Sequence, residues 1–132
     1  MKVTIKGFLE EVMDSVGAIV GMEGGCIKRI YREKNHGITK QTIKYFDDHR
    51  IKIGIIVCVE GTQDDTGDYW TTFSDEDGNK IVCSGFAWGY YGEGPSGLHK
   101  TLGKLCLDLY PYYDDYSLLK IANFGKSFKI MR

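Results

Sequence analysis

Proline is scarce in this sequence, with only Pro95 and Pro111 among 132 residues, and both fall in the last third. No interrupted, proline-rich linker separates one part of the chain from another, and no repeat or low-complexity tract appears, so residues 1–132 read as a single domain. No apolar run reaches membrane-spanning length. The opening "MKVTIKGFLEEVMDS" alternates and carries acids where a secretory signal would have an uninterrupted apolar core. The expected location is therefore the cytosol, with no membrane partner. An excess of charge of either sign is also missing: a formal net charge of −1 excludes the basic surplus of a dedicated long-nucleic-acid binder, although it leaves room for a pocket holding one small anion. The four cysteines, Cys26, Cys58, Cys83 and Cys106, lie far apart and form no CxxC pair or Cys/His knuckle. They read as buried small hydrophobes in a reducing compartment. His36, His49 and His99 are similarly scattered, so neither a metal nor another cofactor is expected.

What is present is an ordinary globular composition, 42% hydrophobic and 27% charged. Residues 2–7 alternate as an opening strand, followed by helical spacing of Phe8, Leu9, Val12, Met13 and Val16, with a continuing strand as the competing reading. "CIKRIYR" (26–32) predicts a strand. Thr39 to His49 predicts a helix capped by Thr39, with Ile43 and Phe46 on one face. "IKIGIIVCV" (51–59) is the strongest strand signal, and the runs at 68–74 and 79–90 around "DEDG" predict a hairpin. A helix is expected from about Pro95 to Leu109, with Leu98, Leu102, Leu105, Cys106 and Leu109 as its apolar stripe and Pro95 at its first position. The tail supplies one or two short strands or a helical turn. The fold class is α+β: a mostly antiparallel sheet with that long helix packed on it and one or two shorter ones.

The segment "WGYYGEGPSGLHK" (88–100) holds four glycines, three aromatics and a proline. If strand 79–90 alternates, Phe86, Trp88 and Tyr90 share a face, and the loop of Tyr91, Gly92, Glu93 and Gly94 feeds a helix beginning at Pro95, Ser96 and Gly97. Aromatic rings beside a glycine-lined helix N-terminus could stack a base and hold an anion, which makes a nucleotide site. A tight strand-to-helix connection with Trp88 in the core is the alternative. Neither the Walker A nor the Rossmann spacing is present. His99 and Lys100 could close over an anion, or lie on the helix surface. Arg29 and Arg32, flanked by Lys28 and Lys34, could grip phosphate, or form a solvated edge strand. Glu93 is read as orienting the loop or a ligand hydroxyl, with general base a lesser role. The acids Asp64, Asp65 and Asp68 invite a calcium reading but lack EF-hand spacing, and an ordinary turn accounts for them.

The stretch "GFAWGYYGEGPSGLHKTL" resembles the aromatic-glycine-proline segment of the first type of anti-Thoeris proteins, phage sponges that capture cyclic ADP-ribose signals made by bacterial TIR enzymes. This chain has Ser96 beside Gly-Glu-Gly-Pro, where the resemblance leads one to expect an arginine. The resemblance implies a viral protein acting in the host bacterial cytosol and built from dimers, up to a hexamer. Its ligand is a glycosyl-cyclic ADP-ribose-type nucleotide, held through the loop Trp88 to Leu98 without turnover, and cyclic oligonucleotides bind at a second site. Two rival readings stay open: a protein-binding inhibitor of the anti-CRISPR kind, and a small phosphodiesterase acting on cyclic nucleotides.

Overall fold

The Asp-Gly turn at 77–78 organises the centre of the sheet. The computed structural model describes residues 19–23, 26–105 and 113–132. Strand β4 (Tyr69–Asp75) turns back into β5 (Lys80–Cys83), and the two pair antiparallel, as the flanking β-rich runs predict. Gly78 sits at φ +83°, a conformation a Cβ resists. Asp75 closes the turn: one carboxylate oxygen accepts the backbone N–H groups of Asp77 and Asn79, and the other accepts Gly54 N–H and the Asn79 side-chain amide, all near 2.9 Å.

Burial on its own would raise the Asp75 pKa, but the hydrogen bonds from Asn79, Gly54 and Asp77 outweigh it and hold the carboxyl below its ordinary value. A depressed folded-state pKa gives stability that is present above the unfolded value and lost as pH falls through the folded one. Asp75→Asn is therefore expected to lower stability at neutral pH and to flatten its fall below pH ~4. Urea midpoints measured between neutral and acid pH check this, and parallel curves for the two proteins would refute it.

Outside that hairpin the sheet grows in both directions. The elements run β1 (Ile19–Glu23), β2 (Cys26–Arg32), α1 (Thr39–Arg50), β3 (Ile56–Gln63), β4, β5, α2 (Glu93–Lys104), α3 (Asp115–Phe124) and β6 (Phe128–Met131). The sheet order is β1-β2-β5-β4-β3-β6, and only β2 and β5 pair in parallel. The domain is α+β and its sheet mostly antiparallel.

One register row, Tyr31–Ile81–Phe73–Val59–Ile130, crosses five strands on a single face. Ile81, Phe73, Val59 and Ile130 are buried, and the helices pack over them. Phe46 of α1 meets Phe73 at 4.5 Å, Leu98 and Leu102 come from α2, and Leu118 and Ala122 from α3. Each of the larger of these side chains contributes about 1.5–3 kcal/mol by leaving water. The adjacent row, Arg32–Val82–Thr72–Glu60–Lys129, lies on the opposite face and is mostly polar.

Several boundaries differ from expectation for local reasons. The strand expected over 51–59 begins at Ile56, because α1 unwinds through one more turn, with Lys52 N–H on His49 C=O and Gly54 N–H on Asp75. Ile51 and Ile55 are exposed there despite their strand propensity. The strand expected over 79–90 stops at Cys83. Thr39 is the first helical residue of α1 and not its cap, since its hydroxyl is used elsewhere. Pro95 is the third residue of α2, where its missing N–H is still among those a helix leaves unpaired.

Helix α2, expected over 95–109, is described as Glu93–Lys104, no longer than α1. Positions 106–109, the N-terminal strand over 2–7 and the helical spacing over 8–16 lie outside the described residues. The tail provides both a ten-residue helix and a strand, and the helix is capped by Asp114, whose side chain accepts Ser117 N–H at 2.8 Å. Cys83 is fully buried; burial foremost, and then the Glu33 charge, pushes its thiol well above the ordinary range, so it behaves as a small hydrophobe. Among the described residues no helix is long and apolar enough to cross a membrane.

Candidate functional site

Where β2 ends, the chain buries a carboxylate. Glu33 is 3% exposed, and its Oε1 accepts the Thr42 hydroxyl at 2.6 Å and Ser84 N–H at 2.9 Å. Its Oε2 lies 2.8 Å from His36 Nε2. His36 Nδ1 accepts Ile38 N–H at 2.9 Å, which places the ring proton on Nε2, although Glu33 Oε2 receives no hydrogen bond and the two are in contact without bond geometry. The Ser84 hydroxyl donates to Lys34 C=O at 2.8 Å, and Thr39 Oγ1 donates to Gly85 C=O at 2.7 Å. These bonds tie β2, α1 and the segment after β5 into one rigid wall.

That segment, residues 84–92, is irregular. Phe86 and Trp88 are buried at 1% and 2% exposure. Trp88 packs edge-on against Tyr69 at 4.6 Å and Phe128 at 5.1 Å, so its faces belong to the core and are not offered to a ligand. Gly89 adopts φ +90° and donates its N–H to Ala122 C=O at 2.8 Å, pinning the loop to α3. Most of the glycine richness of 88–97 serves the chain's approach to itself. A Cβ on Gly97 would stand 2.4 Å from Thr39 Cγ2, and one on Gly94 would stand 2.9 Å from Ala87 Cβ.

A cleft of about 440 Å³ opens between this wall, the start of α2 and the β3–β4 turn. Phe86, Tyr90, Glu93 and Gly94 line it among the residues expected from sequence, joined by Asn35, Thr39, Asp68, Tyr69, Ser84 and Gly85. Tyr90 is about half exposed, with its ring centroid 6.5 Å from that of Tyr69. Burial, and after it the neighbouring Tyr69, raises the Tyr90 pKa, so the phenol stays protonated and able to donate at neutral pH.

The β3–β4 turn is held by Asp64. Its Oδ1 accepts the N–H groups of Thr66 and Asp68 and the Thr66 hydroxyl, and its Oδ2 accepts Trp70 Nε1. The Thr66 and Trp70 side chains lead in drawing its pKa down to about 2. This carboxylate is spent on the turn, which agrees with the plain-turn reading of the acid cluster. Asp68, the last acid of the cluster, accepts Asn35 Nδ2 on Oδ2 at 2.9 Å and lines the cleft. Among the described residues no three His, Cys, Asp or Glu side chains gather as metal ligands.

The remaining sequence-derived candidates are placed elsewhere. Arg29 and Arg32 are three residues apart on β2, so strand alternation puts them on opposite faces. Arg32 lies over the Trp70 ring at 4.5 Å, in a separate hollow with Lys80 and Thr72, while Arg29 is exposed. Neither joins the cleft. His99 Nε2 meets Asp115 at 2.9 Å, linking α2 to α3, and Lys100 is exposed on α2. Pro95 and Gly97 are buried in packing, whereas Tyr91, Gly92 and Ser96 are exposed and do not line the cleft. Tyr91 instead meets Phe124 of α3, ring to ring, at 5.7 Å.

No protein-family model, curated protein or solved structure matches this chain.

Proposed function

We propose that this protein is a non-enzymatic binder that takes a cyclic ADP-ribose-type nucleotide into the cleft between Tyr90, Asp68 and Gly94 and holds it uncleaved, as phage anti-Thoeris sponges do in the host cytosol. The observation that carries the reading is the cleft itself: it gathers Tyr90, Glu93 and Gly94 of the glycine loop with an aromatic wall, at a volume suited to a nucleoside. Tyr90 supplies a face for the base, and Asp68 and Glu93 accept ribose hydroxyls. Binding without turnover is supported by the state of the nearest reactive groups. His36 Nδ1 accepts Ile38 N–H and its Nε2 is packed against Glu33, and the Ser84 hydroxyl is given to a carbonyl. Neither side chain is therefore poised as nucleophile or base, and Glu93 and Asp68 are given to ribose hydroxyls. No cofactor is invoked, and a dimer-based homo-oligomer is the proposed assembly.

The test is recovery of intact ligand. Protein incubated with the signal should withdraw it from its effector and release it chemically unchanged on heating. A product growing beyond one equivalent per protein, seen by chromatography, would make this an enzyme. Gly94→Val is expected to abolish that capture with the far-ultraviolet dichroism largely kept, because the added side chain pushes the first turn of α2 off Ala87 at the cleft wall. Unchanged calorimetric affinity in this variant would remove the cleft from the site.

One observation favours a second reading, a protein-binding inhibitor. Tyr91, Phe124 and Tyr116 are 73%, 65% and 68% exposed, and aromatic side chains are enriched at interface centres. Co-purification with a host protein complex in place of a nucleotide would support it.

A further inference from the structure

The walls of the cleft are charged in one sense only. Asp68 and Glu93 contribute carboxylates, and no lysine, arginine or histidine is among the described lining residues. Asp68 has one oxygen occupied by Asn35 and the Thr66 hydroxyl, and among the described residues its other oxygen and the Glu93 carboxylate have no hydrogen-bond or ion-pair partner. Two tyrosines complete the opening, with Tyr90 half exposed over Tyr69. The first turn of α2 brings its positive end to the same place, but Glu93 stands on that turn and offsets it. A phosphate placed here would meet two like charges at an exposed rim, and no cation among the described lining residues would answer it. A positively charged planar group would meet two carboxylates and the negative faces of aromatic rings, the chemistry that cation-binding pockets use.

We propose that the cleft selects cationic nucleosides: the group that enters it is a ribosylated ring carrying positive charge, with any phosphates left outside. This rests on the reading that the cleft is the ligand site, and it narrows the ligand to those whose base is positively charged, such as a pyridinium or N-alkylated purine riboside. The ring stacks on Tyr90 while Asp68 and Glu93 take the ribose hydroxyls and balance the charge.

Nicotinamide riboside is a direct probe, because it carries the cationic ring and the sugar without phosphate. Its reduced dihydro form keeps the sugar and carboxamide but loses the charge. Calorimetry on the full chain should show the cationic form binding at least tenfold more tightly than the reduced form, with the preference shrinking as salt is raised. Asp68→Asn and Glu93→Gln, each of which keeps the side-chain shape, should each reduce that preference severalfold. AMP, a neutral base with a phosphate, should bind more weakly than the cation.

Equal binding of the oxidised and reduced forms, or a preference untouched by both substitutions, overturns the charge selectivity and leaves the cleft as the ligand site. Binding of neither nucleoside also overturns it. If cyclic ADP-ribose-type ligand is meanwhile still retained by Gly94→Val, the cleft reading itself fails.

Discussion

Glu33→Ala should lower the free energy of unfolding by about 3 kcal/mol, the loss expected when several buried donors forfeit one acceptor. Three groups converge on this carboxylate from different elements: the Thr42 hydroxyl from α1, Ser84 N–H from the end of β5, and His36 Nε2 from the β2–α1 connection. Alanine leaves all of them facing a cavity. Thr42 is fully buried and Ser84 nearly so, so water cannot take the place of Glu33 for them.

Glu33→Gln is the sharper test, since it keeps the volume. The His36 tautomer is fixed by Ile38 N–H on Nδ1, so an amide placed toward Nε2 sets donor against donor. Turned the other way, the amide faces the Thr42 and Ser84 donors. Either orientation fails, and the glutamine variant should lose about 2 kcal/mol although nothing has been removed. Urea unfolding of both variants measures this. A glutamine variant as stable as the parent would show that the carboxylate is dispensable and that this wall of the cleft is held by packing alone.

The hairpin around Asp-Gly, the strand 26–32 and the helix beginning at Thr39 were legible because each carries its own local signal: a turn needing positive φ, alternation, or an apolar spacing near four. The stretch 51–59 was legible in type and misplaced in phase. Its β-rich residues run from Ile51, but the chain must first leave α1, and no propensity encodes where Gly54 finds the Asp75 carboxylate. The segment 84–92 shows the stronger limit. Its alternation promised a ligand-facing row, whereas Phe86 and Trp88 are both buried, and the chain has left the sheet by Gly89, which adopts a positive φ.

The cleft was half visible. Tyr90, Glu93 and Gly94 stand in one conspicuous stretch of sequence, but Asn35, Asp68 and Tyr69 reach the cleft from positions more than twenty residues away. Asp68 looked like part of a plain acidic turn, and its neighbour Asp64 does serve as one. Glu33 carried no signal at all. A charged residue after a strand usually faces solvent, and only the partners at Thr42 and Ser84 make its burial tolerable.

Gly85→Ala is expected to be about as damaging as the loss of Glu33, for a steric reason. A single methyl at this position would stand 2.2 Å from Thr42 Oγ1 and 2.8 Å from both the carbonyl carbon and oxygen of Ile38. Real Cβ atoms do not approach that closely, so something must move. The Thr42 side chain cannot swing aside without abandoning Glu33, and Ile38 is backbone at the N-cap of α1, with its carbonyl already accepting Thr42 N–H. The first turn of α1 therefore has to back away from segment 84–92. That motion also stretches the Thr39 hydroxyl bond to Gly85 C=O. Overpacking of this kind costs about 1–3 kcal/mol, and the hydrogen bonds strained with it place the expected loss at the upper end. The double variant Gly85→Ala with Thr42→Ala separates the two contacts. If the Ile38 backbone contact dominates, removing the threonine hydroxyl gives no rescue and adds its own penalty; if the hydroxyl contact dominates, the double variant recovers part of the loss. A Gly85→Ala protein that unfolds at the parent's urea midpoint would mean that segment 84–92 and α1 are not in contact as described, and the inner wall of the cleft would go with them.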